Sequence, residues 1–374
     1  MITDRIVMPL LTWYEQNKRI LPWRENKNPY RIWVSEIMLQ QTRVEAVKPY
    51  FDRFLANLPD VESLASAPEE QLLKLWEGLG YYNRVKNMQK AAKMIVERYE
   101  GKMPTEYRVL LQLPGIGAYT AGAIASIAFE RPVVAVDGNV LRIITRLTAD
   151  DSDVLNEKFK KEIQRKLEEI VPVERPGDFS QALMELGATV CLPNGAPKCG
   201  QCPWKEMCEA RKQGRIDEIP YKKKKKPRKV ELKTVLLLRD GDKTLIRRRP
   251  ESGLLAGLYE FPLFDGRLSA EDIRQEAEKL GYHVLYIEEL PEAVHVFSHK
   301  EWHMKGYLVK VEEVGFSSDM AADGEKETDR EEKIRQETHL VTSEMIQSEY
   351  PIPSAFRAYT GYVNVALGNE RFLR

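Results

Sequence analysis

The 374-residue sequence contains no long apolar segment. No uninterrupted apolar run approaches the ~20 residues that a membrane-spanning helix requires. Residues 1–20 interrupt their apolar positions with charges at helical spacing, which is unlike a signal peptide. We therefore expect a cytoplasmic protein with no membrane partner.

Net charge is also absent, because 57 Lys and Arg residues balance 57 Asp and Glu residues. The balance hides an asymmetry: residues 1–229 hold 38 basic and 30 acidic residues, whereas residues 230–374 hold 19 and 27. The two parts therefore carry formal charges of +8 and −8. Seven of the basic residues lie in the run 222–229, which fits a solvated linker and a phosphate-facing segment equally well.

Cysteine is scarce, and all four cysteines lie in one window: Cys191, Cys199, Cys202 and Cys208. In a cytosolic protein such a cluster favours metal binding over disulfides. Four thiolates could hold zinc or an iron–sulfur cube. A zinc ribbon usually pairs two Cys-x2-Cys knuckles, and only one is present here. The compact, uneven spacing therefore favours a [4Fe-4S] cluster.

Residues 1–215 lack strand patterns. Apolar residues recur at spacings of three and four, which predicts an all-α domain. A cap followed by proline at 28–29 and a capping box at 66–69 predict helix starts. Three glycines predict helix ends: Gly78, Gly80 and Gly101.

The pattern changes after the basic run. Residues 233–239 and 243–248 are short strand-like segments, and Asp240-Gly241-Asp242 between them predicts a hairpin. Residues 269–280 predict a helix, and 283–287 and 307–311 predict further strands. We therefore expect an α+β domain over 231–374, a linker over 216–230, and a polar loop at 317–337.

A Leu-Pro-Gly-Ile-Gly turn at 113–117 lies between two helical segments. Such a turn directs backbone amides outward at the start of the next helix, where they can bind phosphate. Gly115 and Gly117 are therefore predicted to contact the DNA backbone without reading sequence.

Together with the four cysteines and Val136-Asp-Gly-Asn-Val140, this hairpin resembles the endonuclease III superfamily of base-excision glycosylases. The segment Trp33–Arg43 narrows the resemblance to the MutY family of adenine DNA glycosylases. The motifs at 21–24, 78–82 and 135–140 are similar to the same family. The resemblance implies a multidomain fold: an all-α helix-hairpin-helix glycosylase domain with an iron–sulfur cluster loop, then an α+β Nudix-like (MutT-like) domain. One departure is the first cysteine gap, which has seven residues where the family usually has six.

The resemblance implies two catalytic carboxylates. Glycoside hydrolysis uses one carboxyl group as an acid and another to stabilise the developing sugar cation. Glu36 aligns with the family's acid, and its apolar neighbours should raise its pKa. From periodicity alone a surface glutamate on an amphipathic helix would be favoured. Asp137 aligns with the second carboxylate, although a helix-capping aspartate is the simpler interpretation of its Asp-Gly-Asn context.

Tyr119 occupies the place where strand-cleaving relatives carry a Schiff-base lysine. The resemblance therefore implies a monofunctional enzyme that hydrolyses the base and leaves the strand intact, with Tyr119 contacting the reacting nucleotide.

The remaining DNA-binding candidates also come from the resemblance. Arg24 and Trp23 are expected to line the base pocket, while Gln41 and Tyr81 probe the stack that the flipped adenine leaves. Tyr81 could equally be a core aromatic. Further candidates are Thr42, Asn139 and the Phe297-Ser298-His299 sequence, which matches the family's reader of 8-oxoguanine.

The implied partner is double-stranded DNA with A:8-oxoguanine or A:G mispairs, bound by a monomer. Residues 257–279 lack the glutamate-rich helix of a Nudix hydrolase, which argues against small-molecule hydrolysis. A bifunctional glycosylase/lyase is a competing hypothesis, opposed by Tyr119. A non-enzymatic iron–sulfur DNA sensor is another, opposed by the presence of Glu36 and Asp137.

Overall fold

The structure, a computed structural model, describes residues 2–223, 227–313 and 338–367. The chain divides into two units. The first comprises Met1–Ala67 and Asn83–Lys225, and the second comprises Pro68–Tyr82 and Lys226–Arg374. The linker and boundaries expected near 216–230 stay a prediction. Nothing in the sequence pattern indicated that residues 68–82 would group with the second unit.

The first unit is helical, as predicted. Its helices are α1 Val7–Asn17, α2 Pro29–Met38, α3 Val44–Asn57, α4 Val61–Ser66, α6 Asn83–Tyr99, α7 Tyr107–Leu110, α8 Ala118–Ala123, α9 Gly138–Thr148, α10 Glu157–Glu168, α11 Pro176–Thr189 and α12 Glu209–Lys212. One core of this unit joins α1, α9 and α11 through Leu10, Ile144 and Leu183, all fully buried. Trp204 also packs in that core, and its indole Nε1 donates a hydrogen bond to the Ile6 carbonyl at 3.0 Å.

Helix α2 begins as the sequence predicts. The Asn28 side chain accepts hydrogen bonds from the backbone amides of Tyr30 at 2.9 Å and Arg31 at 3.1 Å. Pro29 takes the first helical position, where its missing N–H costs nothing. These contacts fix where α2 starts and hence which face each later residue of the helix presents.

The capping box predicted at 66–69 is wrong. Ser66 is still the last residue of α4, and its hydroxyl donates back to the Glu62 carbonyl at 2.9 Å, so it cannot cap the next helix. Helix α5, Glu69–Leu75, follows Pro68 without a side-chain cap. The capping box lies one helix earlier, where the Asp60 carboxylate accepts the Ser63 amide at 2.8 Å.

The second unit contains a seven-stranded mixed sheet. Its strands are β1 Lys229–Asp240, β2 Lys243–Arg248, β3 Tyr259–Glu260, β4 Leu263–Asp265, β5 Tyr282–Val296, β6 Lys300–Glu313 and β7 Thr338–Thr342. The main order is β3-β2-β1-β6-β5, with β4 beside β1 and β7 beside β2. Strands β1 and β6 run parallel, whereas the remaining pairs are antiparallel. The predicted hairpin is confirmed by the Asp240–Lys243 pairing.

Both faces of this sheet are covered. Val235 and Leu237 point into one core with Phe261 and Phe356, while Leu236 and Leu238 point into the other. Alternation along β1 produces this division, because successive side chains of a strand point to opposite faces. The unit also contains α13 Ala270–Lys279, α14 Ser343–Ser348 and α15 Arg357–Thr360.

The predicted helix at 269–280 is confirmed by α13, with Ser269 as its N-cap. The strands predicted at 283–287 and 307–311 are confirmed, but each lies within a longer strand, β5 or β6. The loop predicted at 317–337 lies outside the described residues. Among the described helices, none combines the length and apolar character needed to cross a membrane.

Candidate active site

Glu36 lies on α2, a helix that is buried along almost its whole length. Only 5% of its surface is exposed, so it is not a surface glutamate of an amphipathic helix. Periodicity failed here because α2 packs on nearly all sides, so the helix has no wide solvent face.

A buried tyrosine hydroxyl meets this carboxyl group. Tyr119, in the first turn of α8, donates a hydrogen bond to Glu36 Oε2, and its oxygen lies 3.4 Å from Met184 Sδ. Tyr119 and Glu36 are 83 residues apart in the chain. Their contact brings the hairpin motif and the Trp33–Arg43 motif together.

Asp137 is the N-cap of α9, as its sequence context suggested. Its Oδ1 accepts the Val140 amide at 2.8 Å, and its Oδ2 accepts the Asn139 side-chain amide at 2.7 Å. The side chain lies close enough to Glu36 and Tyr119 for its charge to raise the pKa of both groups. Capping and proximity to Glu36 therefore coexist at this residue.

The three groups resist ionisation for the same reason. Burial raises the pKa of Glu36 to about 7, the Tyr119 hydrogen bond opposes the shift, and the Asp137 charge adds to it. Burial also raises the pKa of Asp137, although hydrogen bonds from Val140 and Asn139 pull it down. Glu36 can therefore hold a proton near neutrality, which suits a general acid.

Glu185 is a functional candidate that the sequence did not reveal. It is 1% exposed on α11 and binds two guanidinium groups, Arg19 Nε at 2.7 Å and Arg24 Nη2 at 2.8 Å. The Arg24 charge in turn lowers the pKa of Glu36. No motif links residues 24 and 185, so only their approach in space identifies the pair.

The two residues predicted to form the base pocket, Trp23 and Arg24, lie at one recess, but Glu36 does not line it. Trp23 is buried and packs edge to face on Phe51, with ring centroids 5.4 Å apart. Trp23 and Arg24 both line an open recess of about 470 Å³, together with Arg19 and Gln181. Glu36 is not among the residues that line this recess.

The predicted DNA-backbone turn has the expected geometry. Gly115 has φ 76°, a conformation that favours glycine, and an added Cβ there would meet Asn87 Cβ at 2.7 Å. Gly117 is the N-cap of α8. Both glycines are exposed, so the start of this helix lies at the surface.

Gln41 and Thr42 lie in the turn after α2. Gln41 is exposed with φ 61°, an uncommon conformation for a residue other than glycine. The neighbouring Gln40 side chain reaches Thr120 Oγ1 at 3.4 Å, which links this turn to α8.

The four cysteines line one cavity, and none forms a disulfide. Arg146 Nη1 lies 3.4 Å from Cys191 Sγ and donates to the Leu192 carbonyl at 2.9 Å. Within the described ranges, no three His, Cys, Asp or Glu side chains converge tightly enough to hold a single metal ion. The four cysteines share the lining of this cavity with Arg146 and Arg211.

The longer first cysteine gap is accommodated locally. The Lys198 amide donates to the Val190 carbonyl at 2.9 Å, which closes the loop at its base. Gly195 takes φ 74° at a position where an added side chain would meet nothing, so the loop bulges outward. The extra residue thus leaves Cys191 and Cys199 on the same cavity.

Arg142 lies between this loop and Asp137. Its guanidinium donates to the Asn139 side-chain oxygen, the Gly187 carbonyl and the Cys191 carbonyl, each at 2.8 Å. Asn139, predicted to bind DNA, therefore also joins the Asp137 carboxylate to the cysteine loop.

In the second unit, the structure brings together two of the predicted DNA-binding residues. The Tyr81 hydroxyl lies 3.3 Å from Ser298 Oγ. Tyr81 is 50% exposed, so it is not a core aromatic. Ser298 and His299 are exposed in the turn between β5 and β6. Phe297 packs edge to face on Trp302, with ring centroids 4.8 Å apart.

Comparison with known proteins gives a consistent result. Residues 34–173 match the HhH-GPD superfamily of base excision DNA repair proteins, and residues 234–360 match the NUDIX domain. The adenine DNA glycosylase of Mus musculus is 35% identical over 83% of this chain and 71% of its own length. That of Buchnera aphidicola subsp. Acyrthosiphon pisum is 34% identical over 81% of this chain and 85% of its own length.

A solved thermostable thymine-DNA glycosylase has a TM-score of 0.52 and 27% identity to this chain, covering 56% of this chain and 97% of its own. The matches confirm the predicted order of a helical glycosylase domain and a Nudix-like domain. This chain is a DNA glycosylase, and it belongs to the adenine DNA glycosylase family.

Proposed function

We propose that this enzyme hydrolyses the N-glycosidic bond of adenine in duplex DNA and prefers adenine mispaired with 8-oxoguanine over adenine opposite guanine. The observation that carries the proposal is the buried Glu36 carboxyl group, bonded to Tyr119 and close to Asp137, with its pKa raised to about 7. The curated relatives are adenine DNA glycosylases, which supports adenine as the excised base.

Glu36 supplies the acid. Adenine leaves its sugar readily only when a ring nitrogen is protonated, and a carboxyl group whose raised pKa keeps it partly protonated near neutral pH can deliver that proton. Tyr119 donates to Oε2, so the carboxyl group has one oxygen held and the other available to the base. The flipped adenine must leave the stack to reach this group, at a cost of a few kcal/mol.

Asp137 stabilises the sugar as positive charge develops. Its two oxygens are held by Val140 N–H and the Asn139 amide, so the carboxylate needs no reorganisation during the reaction. An ionised Asp137 beside a protonated Glu36 provides the two different carboxyl states that glycoside hydrolysis requires.

Tyr119 makes the enzyme monofunctional. A lyase needs an amine to form a Schiff base with the sugar carbon. Tyr119 presents a hydroxyl whose pKa is raised well above its ordinary value by burial, so it stays protonated. Water is therefore the nucleophile that adds to the sugar carbon, and the DNA strand stays intact.

Duplex DNA is the proposed partner, bound by a monomer. The backbone amides of the exposed residues Gly115 and Gly117 bind phosphate, while Gln41 and Thr42 lie in the turn that follows the Glu36 helix. Trp23 and Arg24 shape the surroundings of the base, with Arg24 held by Glu185. In the second unit, Ser298 and His299 read oxidised guanine and Tyr81 enters the stack beside it.

The four cysteines fit a [4Fe-4S] cluster. A cube binds one thiolate at each iron, and Cys191, Cys199, Cys202 and Cys208 line one cavity. The four thiolates would hold the cluster, which would cross-link the 191–208 segment. Arg142 binds the Cys191 carbonyl and the Asn139 side chain, which supports the position of Asp137.

A single experiment tests the proposal. The enzyme is incubated with duplexes that carry one adenine opposite 8-oxoguanine or opposite guanine, with and without alkali and borohydride. We expect faster excision opposite 8-oxoguanine, strand cleavage only after alkali, and no borohydride-trapped adduct. Alkali-independent nicking with trapping would instead show a bifunctional lyase, and duplex binding without excision would show a DNA sensor.

A further inference from the structure

Residues 68–82, from the helical part of the sequence, fold as part of the second unit. They comprise α5 and the turn that ends at Tyr81 and Tyr82. A buried pair of opposite charges, Lys74 and Glu77, attaches this segment to the rest of the unit.

Lys74 is 8% exposed, and three oxygens surround its ammonium group. Nζ lies 2.8 Å from the Ile346 carbonyl, 3.0 Å from the Tyr350 carbonyl and 3.2 Å from Glu77 Oε1. Ile346 belongs to the last turn of α14, whose free carbonyls attract a cation. A buried ammonium group is tolerated only where acceptors replace its water, and this arrangement provides them.

Glu77 makes the second attachment. It is 1% exposed, and its Oε1 also accepts the backbone amide of Ile352 at 2.9 Å. The pair thus binds the end of α14 and the backbone that follows it. Removing either charge would take a close counter-charge from the other buried group, which is unfavourable.

The turn after α5 connects the anchored helix to Tyr81. Trp76 Nε1 donates to the Gly80 carbonyl at 3.1 Å, and Gly78 and Gly80 take φ 96° and 69°. Tyr81 itself has φ 48°, a sparsely populated conformation for a residue other than glycine, which persists only where its surroundings impose it. Its hydroxyl then lies 3.3 Å from Ser298 Oγ.

We propose that Lys74 and Glu77 are positioning residues that hold Tyr81 beside Ser298 and so set the preference for adenine opposite oxidised guanine. This inference rests on the proposed function for its substrate. Neither residue touches DNA in this role, since both are buried. They act by holding residues 68–82, which include Tyr81, against the rest of the second unit, which includes Ser298.

The first test compares Lys74→Met with two controls. Lys279→Met removes the lysine of an exposed pair with the same i,i+3 spacing in the same unit, and Ile273→Val weakens the core on the sheet face that contains α13. The measured quantity is the single-turnover excision rate opposite 8-oxoguanine divided by the rate opposite guanine. We expect Lys74→Met to lower this ratio at least about fivefold, which is the lower end of typical coupling between two sites. Both controls should keep the ratio. If Ile273→Val lowered the melting temperature as much as Lys74→Met and also lowered the rate ratio as much, the proposal would be overturned.

The second test is a double-mutant cycle with Tyr81→Ala. If Lys74 acts through Tyr81, Lys74→Met should no longer change the ratio in the Tyr81→Ala background. Glu77→Gln keeps an acceptor for the Ile352 amide and should give a smaller fall than Lys74→Met. Independent, additive effects of Lys74→Met and Tyr81→Ala would assign Lys74 a purely structural role.

Hydrogen exchange provides a readout that needs no substrate. Lys74→Met should speed amide exchange across residues 76–82 while leaving α13 unchanged. Unchanged exchange at Tyr81 and Tyr82 would overturn the positioning role, whatever the substrate. A wild-type enzyme that excises adenine with no preference would instead overturn the proposed damage specificity.

Discussion

The hydroxyl of Tyr119 donates a hydrogen bond to the carboxyl group of Glu36, which lies 83 residues earlier in the chain. The bond joins the first turn of α8 to the buried helix α2. In the proposed mechanism, Tyr119 is a neutral donor at the place where a lyase would need an amine, and the other oxygen of Glu36 serves the substrate. Most of the chemistry proposed for this enzyme depends on that relationship.

Replacing Glu36 with Gln should abolish adenine release while duplex binding survives. The amide keeps the size of the side chain but has no acidic proton, and general acid catalysis is typically worth about 10²–10⁴-fold. Single-turnover excision measures the loss, and gel mobility shift measures binding. Glu157→Gln, at an exposed position on α10, is the matched control and should be silent. Excision by Glu36→Gln within about threefold of wild type would remove Glu36 from this role.

The excision rate should depend on pH through Glu36. Burial raises its pKa from 4.5 to about 7, and the protonated form is the active one, so the rate should hold below about 7 and fall as pH rises further. Asp137 must be ionised and its pKa is also raised, so an acid limb should appear at low pH. The apparent values belong to the coupled group. A rate that keeps rising well above pH 7 contradicts the acid role.

The cysteine cavity should hold iron. Purified protein should be brown and contain about four irons and four sulfides per chain. Cys199→Ser should lower the yield of folded enzyme or its DNA affinity, while the excision rate of the loaded fraction is kept. Colourless protein with one stoichiometric zinc would show that the four thiolates serve a different metal.

Ser298→Ala combined with His299→Ala should reduce the preference for adenine opposite 8-oxoguanine by roughly 1–3 kcal/mol, as for a well-placed base contact. Single-turnover excision on the two mispairs gives the ratio. The excision step at Glu36 should be spared once the base is flipped, because neither residue belongs to the unit that contains Glu36. An unchanged ratio would move damage recognition to other residues.

Glu185→Gln should lower the free energy of unfolding by about 3–5 kcal/mol, since it leaves two arginines facing a neutral buried group. Urea unfolding of the whole chain measures the change. Glu130→Gln breaks an exposed pair with Lys27 and should cost less than about 1 kcal/mol. Comparable losses in the two variants would show that the Glu185 pairs contribute little to folding.

The sequence alone determined the family and the two kinds of domain. Long motifs around Glu36, Asp137 and the cysteines identify the glycosylase, and helical and strand periodicities separate the two parts of the chain. Local signals also predicted the start of α2 at Asn28 and the hairpin at Gly241, because each depends on residues a few positions apart.

Tertiary structure decided what periodicity could not. Glu36 is buried because α2 is covered on nearly every side, which its own sequence does not specify. Glu185 meets Arg24, Lys74 meets Ile346, and residues 68–82 group with the second unit, each across a long stretch of chain. Such pairings depend on how distant helices and strands pack, and a single sequence encodes them only through the sum of many weak contacts.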